Sequence, residues 1–354
     1  MASRRPTLLV TRGDPAGIGP EIVARVAASA SLRRLARIVV AGDPEIYDRA
    51  LHQTGTRARL NLTSAERFDP AESAPGLPFV VTSEEGWTSV SPGHPTAGSG
   101  RAAALAIEAA ARLAMDRRVD GIVTAPISKH ALQLAGYPYP GHTEFLGALS
   151  GSPETKMLFV GRRFRLLLAT VHLPLREVSA ALTTPSLVRT IEFAAVALRR
   201  FKWGSRRVVA VLGLNPHAGE EGMFGDEEER VIEPAIREAR ARGIAAEGPY
   251  PADTFFSRHV GRSDLGVVVA MYHDQGLIAA KADGIGGAAN VTLGLPFVRS
   301  SVDHGTAFDR AWKSGRGGAK RAGAPDPAGL ATAIRVGADL ALRAGRKPME
   351  WGWP

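Results

Sequence analysis

The chain has 354 residues, 45% hydrophobic and 22% charged, with 39 Gly, 24 Pro and no Cys, which excludes collagen-like, disordered and disulfide-built classes, thiolate metal sites and cysteine nucleophiles. At about 150 residues per domain the length predicts two domains, and no window reaches the ~18 uninterrupted apolar residues of a membrane span. The 44 Lys and Arg against 35 Asp and Glu give a formal charge of +9, but the arginines are spread through helical stretches such as Arg33–Arg34 and Arg237–Arg242, so no nucleic-acid partner is expected and the charge suits an anionic small substrate.

The first six residues lead into a short apolar run ending at Arg12, too brief for a signal peptide, so a cytoplasmic protein with no membrane partner is expected. The expected strands are Thr7–Val10, Arg37–Ala41, Gly121–Thr124, Arg165–Thr170, Arg207–Leu212 and Gly266–Met271. The expected helices between and around them are Pro20–Ser29, Ala102–Met115, Pro185–Phe201, Glu227–Ala241 and a closing Ala328–Ala344. Strands alternating with helices predict an α/β fold with a mostly parallel sheet covered on both faces. The Gly-, Ala-, Lys- and Arg-rich stretch Ser314–Pro327 reads as a mobile loop.

Three histidines fall just past apolar strands. His172 follows Leu166–Val171, His217 follows Val208–Pro216, and His273 follows Val267–Tyr272. Ligands in open α/β sheets gather at the carboxyl ends of strands. Imidazoles at three such ends make a divalent metal site a candidate, with an open position for water or a substrate oxygen. One histidine past a strand is more often a loop or core residue; three equivalent placements favour the metal.

The segment Thr11–Glu21 joins the first strand to the first helix and resembles a phosphate cradle only superficially. Gly13, Gly17 and Gly19 match neither the dinucleotide fingerprint nor the P-loop, and a tight turn with Pro20 opening the helix explains them. Gly141–Phe145 offers His142, Thr143 and Glu144 together. The stretch His273–Arg299 holds Asp274, Gln275, Lys281, Asn290 and Arg299, cations able to neutralise a phosphate or carboxylate, with Lys281 also able to trade protons.

These pieces resemble the 4-hydroxythreonine-4-phosphate dehydrogenase family of pyridoxal phosphate biosynthesis. The matching blocks are Gly13–Glu21, Thr124–Lys129, Gly141–Phe145, His172–Arg176, Leu214–Glu220, Gly248–Thr254, Met271–Gly276, Asn290–Arg299 and Ser301–Ala307, in family order. The resemblance implies two α/β/α domains like those of isocitrate and isopropylmalate dehydrogenases, with the active site in the interdomain cleft. Residues 1–140 with 305–354 would form the first domain. Residues 141–304 would form the second, with the metal and substrate residues and the interface of a homodimer whose active sites are shared.

It further implies metal ligands His172, His217 and His273, substrate contacts His142, Thr143, Lys281, Asn290 and Arg299, and a cofactor loop Asp303-His304-Gly305-Thr306. Lys281 and Asp253 are the candidate catalytic groups. The implied reaction is oxidation of 4-phosphooxy-L-threonine by NAD or NADP, with one divalent metal (Zn, Mg, Mn or Co). The product, 2-amino-3-oxo-4-phosphooxybutanoate, would decarboxylate to 3-amino-2-oxopropyl phosphate.

The chain departs from the family at Arg12, where Pro is usual, and before Asn290, where the usual Arg-Gly-Val is absent. The rival readings are a paralogue acting on threonate or erythronate 4-phosphate or a dihydrodiol carboxylate, a metal-dependent hydrolase or lyase without nicotinamide, and a non-catalytic binding protein.

Overall fold

A computed structural model describes residues 4–72, 74–84, 86–204, 207–282, 287–313, 324–345 and 348–353. Most of the expected loop at Ser314–Pro327, residues 314–323, lies outside these. Twelve strands occur among the described residues: β1 Thr7–Thr11, β2 Arg37–Gly42, β3 Leu60–Ser64, β4 Leu77–Val81, β5 Gly121–Thr124, β6 Lys156–Val160, β7 Arg165–Leu168, β8 Val208–Leu212, β9 Ala246–Tyr250, β10 Leu265–Ala270, β11 Ala289–Leu293 and β12 Val298–Ser301. No single described helix is long and apolar enough to cross a membrane.

Packing divides the chain into two compact units, Met1–Thr155 with Leu295–Pro348, and Lys156–Gly294 with Met349–Pro354. These divisions differ from 140/141 and 304/305, and the reason is local. Helix His142–Ser150 packs on helix Ala97–Met115 and buries Phe145 and Leu146 in the first unit's core, while β12 pairs with β5. His142, Thr143 and Arg299 therefore belong to the first unit.

In the first unit the strand order is β3-β4-β2-β1-β5-β12, all parallel. The inner strands are buried along their length, β1 and β5 completely, as a parallel sheet with helices on both faces requires. Helix Ala97–Met115 starts five residues before the expected Ala102 because Thr96 and Ser99 form a reciprocal capping box. Its Gly100 admits the crossing of helix Lys129–Leu134, since a Cβ there would stand 1.9 Å from the Ala131 carbonyl oxygen. Helix Ala328–Ala344, which matches its expectation, packs on β12 and β5.

In the second unit the order is β11-β6-β7-β10-β8-β9. β6 runs antiparallel to β7 and β11, while β7, β10, β8 and β9 are parallel neighbours. Helix Thr184–Arg200 is capped by Thr183 and Ser186 and buries Leu187, Ile191 and Phe193. The last residues dock here too: Trp351 stacks on Phe193 at 5.7 Å, and its carbonyl accepts from Arg189 Nη1 at 3.2 Å. The expected helix Glu227–Ala241 is two elements, a π-helical turn Glu228–Ile232 and an α-helix Glu233–Ala241. Pro234 has no N–H to continue the ladder, so the winding changes beside it.

Candidate active site

The three expected metal ligands lie past the carboxyl ends of three neighbouring parallel strands, β7, β10 and β8. Backbone pairing continues beyond β7 and β10, where Ala169 N–H donates to the Ala270 carbonyl at 2.8 Å and Thr170 N–H to Met271 at 3.1 Å. Thr170 Oγ1 adds a bond to the same Met271 carbonyl at 2.7 Å. Two residues further on each strand, His172 and His273 stand with ring centroids 5.8 Å apart, inclined at 43°. His273 opens helix His273–Ala282, and its Nδ1 donates to Asp274 Oδ1 at 2.7 Å. That bond fixes the tautomer that leaves Nε2 free to bind a cation.

His217 is placed differently. It sits in an exposed turn beyond β8, with its ring 5.9 Å from Phe224. The backbone from His217 to Gly222 is left-handed throughout, with φ of 53° at His217, 55° at Ala218, 42° at Glu220 and 54° at Glu221. Each such non-glycine residue costs about 1–2 kcal/mol. Among the described residues no group of three or more His, Asp or Glu side chains is gathered closely enough to hold a metal ion, so two of the three ligands come together and the third does not join them. Their chemistry still fits a divalent cation: imidazoles on adjacent strand ends, one oriented by a carboxylate.

Of the remaining candidates in this unit, Asp253 lies near the same sheet edge, whereas Lys281 is at the far end of its helix and Asn290 pairs toward the amino end of β7. Asp253 is exposed in the first turn of helix Ala252–Arg258, which follows β9 and packs against the Pro216–Gly219 turn bearing His217. Lys281 is exposed in the last turn of the His273 helix, about 12 Å along the axis from His273 at 1.5 Å per residue, so the backbone does not bring the two together. Asn290 lies on β11 opposite Phe159, and its buried Oδ1 has no hydrogen-bond partner among the described residues.

In the first unit a second cluster forms around Arg299. Only 3% exposed on β12, Arg299 donates from Nη2 to Thr124 Oγ1 at 2.7 Å. Burial lowers its guanidinium to about 10, a fall that Glu144 opposes. His142 and Thr143 open helix His142–Ser150 after an extended Gly141. Burial of the ring, and then the Arg299 charge, hold the His142 imidazole well below its ordinary value, and its buried Nε2 has no partner among the described residues. The result is a neutral imidazole beside an enclosed cation, a combination suited to an oxyanion. Thr124 carries no signal of its own in the sequence beyond its place in a matching block, whereas Glu144 stands beside His142 and Thr143 in theirs.

The loop Asp303–Thr306 follows β12 and leans on the turn after β1. Ile18 N–H donates to the Thr306 carbonyl at 3.0 Å, and a Cβ on Gly17 would stand 2.9 Å from both Thr306 Cβ and O. A Cβ on Gly305 would meet nothing within 4 Å, so the backbone is uncovered at that point, which leaves room for a nucleotide cofactor. The Thr11–Glu21 turn is therefore a support for this loop. Helix Gly19–Ala27 begins one residue before Pro20, which takes its second position.

Arg12, where the family usually has Pro, is wholly buried over Gly42. Its guanidinium nitrogens have no hydrogen-bond partner among the described residues. Burial lowers it to about 10 against the attraction of Asp43 and Asp14. Burial also lifts Asp14 to about 6, against hydrogen bonds from Ala16 N–H at 2.8 Å and Ser99 Oγ at 3.5 Å. A buried Arg–carboxylate group thus lies beneath the turn that carries the Thr306 loop.

Comparison with known proteins gives one consistent result. Residues 34–321 match the family described as pyridoxal phosphate biosynthetic protein PdxA. The chain is 43% identical over 312 residues to a 4-hydroxythreonine-4-phosphate dehydrogenase of Geobacter metallireducens, covering 88% of this chain and 91% of that one. It is 39% identical over 356 residues to a D-threonate 4-phosphate dehydrogenase of Cupriavidus necator, covering 97% and 99%. A crystal structure of 4-hydroxythreonine-4-phosphate dehydrogenase from Klebsiella pneumoniae superposes with a TM-score of 0.83 at 37% identity, covering 96% and 99%.

Proposed function

Because the chain belongs to the pyridoxal phosphate biosynthetic protein PdxA family, whose matched relatives are named as dehydrogenases, we propose that it oxidises the secondary alcohol of a phosphorylated four-carbon acid. The first substrate to test is 4-phosphooxy-L-threonine. Its hydride goes to NAD⁺ or NADP⁺ and its hydroxyl proton to a base. The β-keto acid formed then releases CO₂ to give 3-amino-2-oxopropyl phosphate. The observation that carries this reading is the set of three histidines past the ends of adjacent parallel strands, with the rings of His172 and His273 5.8 Å apart.

In this reading His172, His217 and His273 hold one divalent cation, and the Asp303–Thr306 loop holds the nicotinamide nucleotide. When bound, the cation polarises the oxygen at the reacting carbon and the nicotinamide accepts the hydride. Asp274 keeps His273 in its binding tautomer. Arg299, pinned by Thr124, and the neutral His142 take the phosphate or carboxylate oxygens. Thr143 and Asn290 orient the substrate. Lys281, or the carboxylate of Asp253, takes the hydroxyl proton and returns one to the carbon that loses CO₂. The family reading also includes a homodimer with shared sites.

A second reading has support of its own. The Cupriavidus relative, named for D-threonate 4-phosphate, matches across 99% of its length. The two substrates differ at C2, amine against hydroxyl, where no side chain assigned above discriminates. Turnover decides between them: NADH or NADPH formation by metal-loaded protein with 4-phosphooxy-L-threonine, beside D-threonate and erythronate 4-phosphates. Turnover of the amino acid phosphate establishes the first reading, and turnover of a hydroxy-acid phosphate alone establishes the second. No nicotinamide reduction with any of them defeats both.

A further inference from the structure

Glu228 is buried at the start of the π-helical turn, and its carboxylate accepts hydrogen bonds from the root of the His217 turn. Its Oε1 accepts from Leu214 N–H at 2.6 Å and from Asn215 N–H at 2.8 Å, and its Oε2 accepts from Asn215 Nδ2 at 2.9 Å. Glu227 accepts from the same side-chain amide at 2.6 Å and from Ser179 Oγ at 2.5 Å. Glycines make the room: a Cβ on Gly213 or Gly219 would stand 3.0 or 2.9 Å from a Glu228 carboxylate oxygen.

The turn has backbone bonds of its own, from Ala218 N–H to Asn215 O, Met223 N–H to Glu220 O and Phe224 N–H to Gly219 O, each 3.1 Å, but its dihedrals are strained. Residues 217–222 all have positive φ, and only two of them, Gly219 and Gly222, adopt that backbone freely. A left-handed run of this length persists where its surroundings over-determine it. Glu228 supplies the fixing through its bonds to Leu214 and Asn215, just before His217.

We propose that Glu228 is a positioning residue for the metal centre: its carboxylate latches the left-handed turn and thereby sets where the His217 imidazole stands. This rests on the reading of His217 as a metal ligand. Glu228 touches neither substrate nor cofactor in this role. Outer partners of metal ligands change affinity by about 10–100-fold when removed, and the latch acts on His217 in the same sense, through the backbone.

The test compares wild type, Glu228→Ala, Glu228→Gln and His217→Ala. Zn²⁺ affinity is measured by competition with a chromogenic chelator, and hydrogen exchange is followed over residues 213–222. Glu228→Ala is expected to weaken Zn²⁺ by at least tenfold and speed exchange across the turn, while the melting temperature stays near wild type. Glu228→Gln keeps an oxygen for Leu214 and Asn215 but turns an amide toward Asn215 Nδ2, so a several-fold loss is expected. Should Glu228→Ala fail to fold, the Gln variant carries the test alone. Faster exchange with unchanged Zn²⁺ affinity overturns the proposal by reducing Glu228 to a purely structural role. Unchanged exchange and affinity overturn it outright. His217→Ala with wild-type Zn²⁺ affinity removes the metal reading itself, and the proposal with it.

Discussion

Gln275 ties the strand end before His273 to the strand end before His217: its Nε2 donates to the Gly213 carbonyl at 2.7 Å while its Oε1 accepts from Met271 N–H at 2.7 Å. Thr170 reaches the Met271 carbonyl from the other side at 2.7 Å. A continuous hydrogen-bonded brace therefore crosses the ends of β7, β10 and β8. Gln275→Leu leaves an enclosed donor and acceptor unpaired, so a loss of about 1–3 kcal/mol in urea unfolding is expected. Metal affinity should fall with it.

Chelation should abolish nicotinamide reduction, and Zn²⁺, Mn²⁺ or Co²⁺ should restore it. His273→Ala loses one ring of the His172 pair and should not be restored at metal concentrations that saturate the wild type. Full activity of chelated protein, verified metal-free by atomic absorption, would contradict this.

Arg299→Met separates binding from stability. Removing the buried guanidinium should raise KM for the phosphorylated substrate by about 30-fold or more, since losing one partner of an enclosed charged pair costs about 2–5 kcal/mol. Thermal stability should hold or rise, because a well-packed apolar side chain avoids the cost of burying the charge. Arg299→Lys should not restore KM, lacking the planar fork. An unchanged KM in the Met variant would remove Arg299 from the substrate site.

Asp14 and His142 should bend the pH–stability curve in opposite directions. Burial lifts Asp14 from 3.8 to about 6, so folded protein holds the proton more tightly than unfolded protein. Its contribution is complete below about pH 4 and is lost as pH rises through about 6, by roughly 3 kcal/mol. His142 is held well below 6.5, first by burial and then by Arg299. Its contribution is present above about pH 6.5 and is lost as pH falls. Urea midpoints between pH 4 and 8 should show Asp14→Asn losing the first slope, and parallel curves would refute it.

Gly17→Ala places a methyl 2.9 Å from Thr306 Cβ and O. Displacing that loop should raise KM for the nicotinamide nucleotide at least severalfold while leaving Zn²⁺ affinity unchanged. A raised KM for the phosphorylated substrate alone would detach the Asp303–Thr306 loop from the cofactor.

The sequence made the central strands legible because they are buried on both faces and read as unbroken apolar runs, as at Gly121–Thr124. It hid β3, β4, β6, β9, β11 and β12; in four of these Asn61, Pro78, Pro249 and Asn290 interrupt the pattern. The strand-end histidines could be placed because position after a strand is a local property. The buried position of Arg12 over Gly42 and the bonds from Leu214 and Asn215 to Glu228 could not. Both depend on elements that meet only after folding, and nothing in their immediate neighbours announces it.

The pairing of β12 with β5 has a consequence for synthesis. Thr124 and Arg299, joined by one hydrogen bond, lie 175 residues apart in the chain. At about 5–20 residues per second, roughly 9–35 s separate their emergence from the ribosome. Through that interval β5 waits with one edge unpaired, while the whole stretch Lys156–Gly294 is made. The first unit is thus begun early and closed late, and the arginine proposed to take the substrate's anion arrives on the strand that closes it.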